Sequence, residues 1–315
     1  IHKTVNGLIG SIPSELGNLS NLEFLGLYNN QLSGSIPPEL GNLGNLEFLS
    51  LYNNQLSGNM PSELGNLSNL IGLSFSYNQL TGSIPNELGK LSNLEILHLF
   101  NNQLSGSIPS ELGNLSNLPK LWLSDNQLSG SIPIELGNLS NLTGLYLYNN
   151  QLSGSIPPEL GNLSNLSVLY LYNNQLSGSI PPELSNLTNL TLLEIYDNDL
   201  NGCYSDSLTI LCTQLDHILF DGDADISDGN NFDASWEDFC NAGEGTCDNC
   251  LVDLIIYYTT PFQNVHQSSG SISTLGVVEI YNGQQVAYKA PSVRLNNSFS
   301  AKAGSSFKVS YGNCN

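Results

Sequence analysis

Leucine and isoleucine recur at fixed intervals over the first two thirds of the chain. From Leu22 the segment LEFLGLYNNQLSGSIPPELGNLGN restarts at Leu46, Leu70, Leu94, Leu118, Leu142, Leu166 and Leu190, always 24 residues later and without insertion or deletion. The frame is LxxLxLxxNxLxGxIPxxLGNLxN, and its departures are mild: Met60 for Ile, Phe75 for Leu, Lys90 for Asn and Ser185 for Gly. Self-similarity at such a period is the mark of a stacked-repeat architecture. Leu25 and Leu27 alternate with Gly26 and Tyr28, which predicts a short strand with its leucines turned inward. Leu32, Ile36, Leu40 and Leu43 complete the inward set. Asn30 and its successors stand where the chain leaves the strand, and an amide there supplies both a donor and an acceptor to the turn. Gly34 predicts a backbone conformation closed to most residues, and Pro37 excludes a central strand on the far side. One such coil cannot bury its own apolar face, whereas stacked coils share a continuous core.

The frame resembles the plant-type leucine-rich repeat family, whose members carry LxGxIPxxLxxLxxL after the strand. That family includes plant receptor-kinase ectodomains, polygalacturonase-inhibiting proteins and secreted bacterial repeat proteins. The resemblance covers about residues 6–200. It implies a right-handed curved solenoid with a parallel β-sheet on the concave face and an irregular or 3-10 convex side, and it implies binding rather than catalysis. Residues 1–21 read as a partial coil, with full repeats from 22. Because the solenoid starts mid-coil without the paired-cysteine cap usual in plant members, either more protein precedes Ile1 or another molecule covers that end.

The rhythm breaks after Leu200. Residues 201–250 form an acidic, cysteine-containing cap, and the DASWEDFC stretch resembles C-terminal caps of repeat proteins secreted by Bacteroidetes-type bacteria. Leu208, Ile210, Leu211, Leu215, Ile218 and Leu219 are expected to cover the last coil, with Trp236 and Phe239 packing there too. Residues 251–315 change character again. LVDLIIYY, GVVEIY and QQVAYKA are strand-like, and Asn282–Gly283 is a hairpin signal. A small antiparallel, sandwich-like β-domain is expected.

Composition narrows the function. Charged residues are only 11% of the chain, and 28 acids against 7 bases give a net charge of −21. So few cations cannot displace counterions from phosphates, and an anionic bilayer surface repels the chain. No run of 18 apolar residues exists to span a membrane. All six cysteines, Cys203, Cys212, Cys240, Cys247, Cys250 and Cys314, lie after residue 202, which predicts disulfide stapling in an oxidising, extracellular or cell-surface setting. Zinc at the Cys247–Cys250 CxxC is the rival reading, and neighbouring histidines at useful spacing are lacking.

Three candidate sites emerge. On the concave face, the outward columns carry Tyr28, Tyr52, His98, Phe100, Lys120, Trp122, Tyr146, Tyr148, Tyr170 and Tyr172. With coils about 4.8 Å apart these rings form ladders. Aromatic groups with polar tips suit a wettable interface for a protein or a glycan. The structural alternative is that the rings cover one another. Second, Asp221, Asp223, Asp225, Asp228 and Asp233 place carboxylates at alternate loop positions, a pattern that can converge on calcium. It is not an EF-hand, since Ile226 and Phe232 occupy the Gly and Glu positions; the alternative is a solvated acidic loop. Third, Asn18, Asn66, Asn114, Asn138, Asn162, Asn186 and Asn296 are glycosylation sequons, joined by Asn141, Asn165 and Asn189. Catalytic motifs are lacking, so no enzyme activity and no cofactor beyond calcium is expected. The first expectation is a secreted or cell-surface recognition module. The second is a structural filament or layer, in which copies assemble through the open N-terminal coil and a C-terminal domain whose Lys289, Arg294, Lys302 and Lys308 meet an acidic cap. Ice binding is a weaker third, against which curvature and scarce threonine argue.

Overall fold

The computed structural model describes residues 7–202, 204–215, 229–232, Cys240, 252–255 and 287–290. Each coil opens with a three-residue strand, the first Phe24–Gly26 and the eighth Leu192–Glu194. The eight strands form one parallel sheet in sequence order, each residue paired with its counterpart 24 positions on, as Phe24 with Phe48 and Lys120 with Gly144. This sheet is the concave wall. A second set of parallel strands follows at the coil's shoulder (Gln31–Gly34, Gln127–Gly130 and equivalents), and a 3-10 turn such as Ser110–Asn114 forms the convex side. The architecture is the solenoid of stacked coils that the periodicity predicts.

The leucines account for the core. Leu97, Leu99, Leu104, Ile108, Leu112, Leu115 and Leu118 of one coil are all 2% exposed or less, and the other coils repeat this. Phe75 replaces a core leucine and remains fully buried. Between the core and the strands runs a ladder of asparagines. Asn126 Oδ1 accepts the Leu104 N–H of the preceding coil at 3.0 Å, while its Nδ2 lies 3.0–3.2 Å from the carbonyls of Leu99, Leu123 and Ser124. One side chain thus satisfies backbone groups of two coils that no regular ladder reaches. The residue before it is left-handed in every coil (Asn29 φ 57°, Asn53 φ 55°, Asp125 φ 54°), a conformation that asparagine and aspartate tolerate better than most residues.

The invariant glycine of LGN has a different origin. A Cβ on Gly113 would lie 2.3 Å from the carbonyl oxygen of Glu135 in the next coil, and the same close approach recurs from Gly17–Glu39 to Gly161–Glu183. Convex turns therefore pack backbone against backbone. Ser185 breaks the series where the following turn changes to Asp206–Leu208.

The coil pattern continues beyond residue 200. Asn230 takes the place of the ladder asparagine: its Oδ1 accepts the Leu200 N–H over a separation of 30 residues, where each earlier coil has 22. Asn231–Phe232 pairs in parallel with Asn201–Gly202. Tyr204 occupies the column of Ile36 and Ile180 and is 1% exposed; Leu208 and Leu211 are fully buried beside it. Leu215 is partly buried against the core. Ile210, expected among these covering residues, instead faces outward at 46% exposure, because the helix Thr209–Gln214 presents Leu211 rather than its neighbour to the last coil. Gln214 Nε2 donates to the Leu187 and Leu190 carbonyls, ending the stack with its polar groups paired. Cys212 and Cys240 form a disulfide; Cys203, Cys247, Cys250 and Cys314 lie outside the described residues, as do Ile218, Leu219, Trp236 and Phe239. In the third segment Val252–Ile255 pairs antiparallel with Ala287–Ala290.

Candidate functional site: the concave face

Strand alternation sends leucine inward and leaves three columns of side chains on the concave sheet. The aromatic ones adopt two arrangements. Some pairs lie flush: Tyr28 on Tyr52 (5.0 Å, 10°), Tyr148 on Tyr172 (4.6 Å, 8°) and Tyr172 on Tyr196 (4.7 Å, 9°). Others are turned: Phe24 meets Phe48 at 38°, and Tyr170 meets Tyr146 at 82°, Tyr148 at 63° and Tyr172 at 59°. Over coils 3–5 the turned rings adjoin one another. His98 meets Phe100 at 63° and Trp122 at 78°, Phe100 meets Trp122 at 44°, and Tyr77 stands edge-on to Phe100 at 78°.

Trp122 stacks on Tyr146 at 3.7 Å. The Tyr146 ring folds back over Gly144, whose absent Cβ leaves the room it fills, and Tyr146 keeps only 7% of its surface exposed. It supports Trp122 from below. Trp122, Phe100, His98, Tyr148, Tyr170 and Tyr172 are each partly exposed, and Lys120 is exposed beside them. Tyr170 donates a hydrogen bond to Glu194.

Burial governs the ionisation of this face. It pushes the Tyr170 hydroxyl up to about 12, with the Glu194 carboxylate adding to the effect. Tyr172 is raised by burial and then by Tyr148. Glu194 is raised by burial, partly offset by the Tyr170 hydrogen bond. His98 is lowered by burial and then by Lys120, so the imidazole is neutral at pH 7.

Tyr77 is a member of this cluster that the residue pattern conceals. It sits in the left-handed column otherwise filled by asparagine or aspartate, with φ 54° and half its surface exposed. Aligning that column by the 24-residue frame singles it out.

Among the other candidates, Asn18, Asn66, Asn114, Asn138, Asn162 and Asn186 end six of the convex turns with exposed side chains. The amides of Asn141, Asn165 and Asn189 instead donate to carbonyls of the preceding coil. Asn296 and the aspartates 221, 223, 225, 228 and 233 lie outside the described residues. Among the described residues no cluster of side chains is arranged to hold a metal ion, and no helix is long and apolar enough to cross a membrane.

Residues 9–128 match the leucine-rich repeat region family, and residues 140–179 match a two-copy leucine-rich repeat family. The chain is a leucine-rich-repeat protein of the plant type. Among solved structures, it is 45% identical to the ectodomain of the Arabidopsis thaliana receptor kinase GASSHO1/SCHENGEN3, crystallised with CASPARIAN STRIP INTEGRITY FACTOR 2, over 67% of this chain and 25% of that one (TM-score 0.65). It is 38% identical to the Arabidopsis receptor kinase HAESA, in complex with the peptide hormone IDA and the co-receptor SERK1, over 72% and 37% (TM-score 0.64). A plant ice-binding protein is 29% identical over 64% and 69% (TM-score 0.52). The chain thus spans about a quarter to a third of the length of these receptors. No curated protein sequence matches it.

Proposed function

We propose that the chain is a secreted or cell-surface recognition module whose concave face binds an extended peptide segment of a protein partner. One observation carries the reading: coils that are nearly identical on every other side differ on the concave columns, where aromatic side chains stand partly exposed on a rigid sheet. A scaffold held constant beneath a varied, ring-rich surface is the arrangement expected of an interface. The similarity to ectodomains crystallised with peptide ligands supports it. Trp122 offers a direct test, because the chain has only two tryptophans. In a Trp236→Phe background, Trp122 fluorescence is followed while peptides selected from a displayed random library are titrated in. A saturable change in the Trp122 emission supports the reading. A library that yields no binder, or binders that never perturb Trp122, overturns it.

A second reading has its own observation. The shoulder strands present glutamine and serine (Gln103 and Ser105, Gln127 and Ser129), without a charge on this face through seven coils of a strongly acidic chain. An uncharged hydroxyl and amide array repeating at the coil spacing suits a periodic surface such as ice, the ligand named for one similar protein. Ice recrystallisation unaffected by micromolar protein would dismiss it.

A further inference from the structure

We propose that the anchoring point of the peptide lies over coils 3–5, where Tyr77, Phe100 and Trp122 grip the segment and Lys120 pairs with an acidic side chain of it. This inference rests on the peptide-recognition reading and specifies the ligand's chemistry and register.

Four observations meet in these three coils. The first is backbone strain. A tyrosine is strained in the left-handed region, and Tyr77 is 50% exposed, so burial does little to offset that strain. Its neighbours in the column, Asn53 and Asn101, adopt the same conformation at less cost. Nothing in the folding of the coil calls for an aromatic ring there, and its ring is directed onto Phe100.

The second is ring orientation. In the flush ladders each ring covers the faces of its neighbours, leaving edges for a partner. Over coils 3–5 the rings of Tyr77, His98, Phe100 and Trp122 meet one another at 44–78° and so do not cover one another's faces, and faces are what pack on an aliphatic or proline side chain.

The third is a buried hydroxyl. Ser124 takes the ladder position that tyrosine fills in five other coils, is fully buried, and its Oγ has no hydrogen-bond partner. A buried hydroxyl left unpaired is costly, and a ligand amide or carbonyl that displaces the side chains covering Ser124 would supply the missing partner.

The fourth is charge. Among the described residues Lys120 is the one cation on the concave strands, Lys90 lying in a convex turn. The remaining charges of this face and its rims are acids: Glu23, Glu47 and Glu95 toward one end, Asp125, Glu194 and Asp197 toward the other. His98, neutral between Lys120 and Trp122, adds no competing charge. A carboxylate is therefore attracted at Lys120 only, with cations favoured on both sides of it. Glu95 and Glu47 lie one and three coils before Lys120, Asp125 at the rim of its own coil and Glu194 three coils after. At about 4.8 Å per coil and about 3.3 Å per extended residue, three coils are roughly four residues. The ligand is a peptide with an acidic residue at its centre and basic residues within about four positions on either side of it.

Selection of a phage-displayed library of random dodecapeptides on the immobilised full chain tests this, followed by synthetic peptides titrated against variants. Wild type should enrich the acidic centre with basic flanks. Lys120→Glu should replace the central acid by a base. Tyr77→Asn, which restores the residue of adjacent coils and so preserves the fold, should weaken the selected peptides more than tenfold while the melting temperature holds or rises. Three results overturn the proposal. A wild type that selects no peptide removes the recognition reading and the anchor together. Peptides lost with Tyr148→Ser or Tyr172→Ser yet indifferent to Tyr77→Asn and Lys120→Glu leave recognition standing and place the anchor elsewhere. Enriched peptides of random charge pattern refute the register.

Discussion

Gly113→Ala sets two known effects against each other and asks which wins. Gly113 has an ordinary backbone conformation, so alanine there should stabilise by about 0.4–1 kcal/mol through a less flexible unfolded chain. The new methyl would meet the Glu135 carbonyl oxygen at 2.3 Å and its carbonyl carbon at 2.7 Å, roughly 1 Å inside ordinary contact. Both atoms are backbone, and the coil that owns them is tied to its neighbours through both sheets and the asparagine ladder. Relief requires parting two coils beside Leu112 and Leu136, both fully buried. Overpacking of this kind costs typically 1–3 kcal/mol, and separating the coils loosens packing on both flanks. A net destabilisation of about 1–3 kcal/mol is expected. Gly44→Ala is the control, since nothing lies within 4 Å of its Cβ and its backbone is equally ordinary; it should be neutral or slightly stabilising. Urea unfolding followed by circular dichroism compares the two, and hydrogen exchange of coils 4 and 5 reports whether the lesion is local, because solenoids need not unfold in one step. If Gly113→Ala is no less stable than Gly44→Ala, backbone contact between convex turns is not what demands glycine.

Three further predictions follow from the geometry. Asn126→Ala removes an acceptor for Leu104 and a donor shared by three carbonyls, so it should cost about 2–4 kcal/mol in urea unfolding, whereas Asn117→Ala, which loses one exposed bond to Ser92, should cost less than about 1. Alkali should destabilise the fold. Tyr170 ionises near 12 when folded and near 10 when unfolded, so the unfolded state releases its proton first and stability falls between those values; a Tyr170→Phe variant that loses as much stability over this window as wild type would contradict this. Breaking the Cys212–Cys240 bridge by Cys212→Ser opens a loop spanning 28 residues and should cost about 3–4 kcal/mol, with hydrogen exchange rising in coil 8 well before coil 3.

The frame of the solenoid was readable because every position in a coil recurs in the same environment, so the eightfold repetition averages away local accidents. The inward leucines, the turn asparagine and the left-handed Gly34 (φ 79°) all follow from residue type and spacing. Contacts between coils were harder to read. Glycine of LGN is visible as a constant, but its cause is a carbonyl 22 residues away that no local pattern points to. The ninth ladder asparagine, Asn230, was hidden because eight extra residues shift it out of phase. On the concave face the columns and their aromatic content were legible. What alternation cannot convey is whether rings lie flush or tilted, since that depends on which neighbour is small: Gly144 lets Tyr146 fold down, and Trp122 follows it. Tyr77 is hard to read from the sequence because the constant residue of the frame is the second asparagine of each Asn–Asn pair, while the strained position is the first.

The uniform coil interface has a genetic corollary. Since every coil offers the next the same edge, the coding segments are interchangeable at their ends, and an out-of-register crossover would delete or insert whole coils and still encode a foldable chain. The concave face would not be left alone by such an event. Loss of coil 4 would remove His98 and Phe100 at a stroke and set Tyr77 directly beside Trp122. Inheritance can thus reshuffle the surface like a hand of cards while the stack that holds it stays the same.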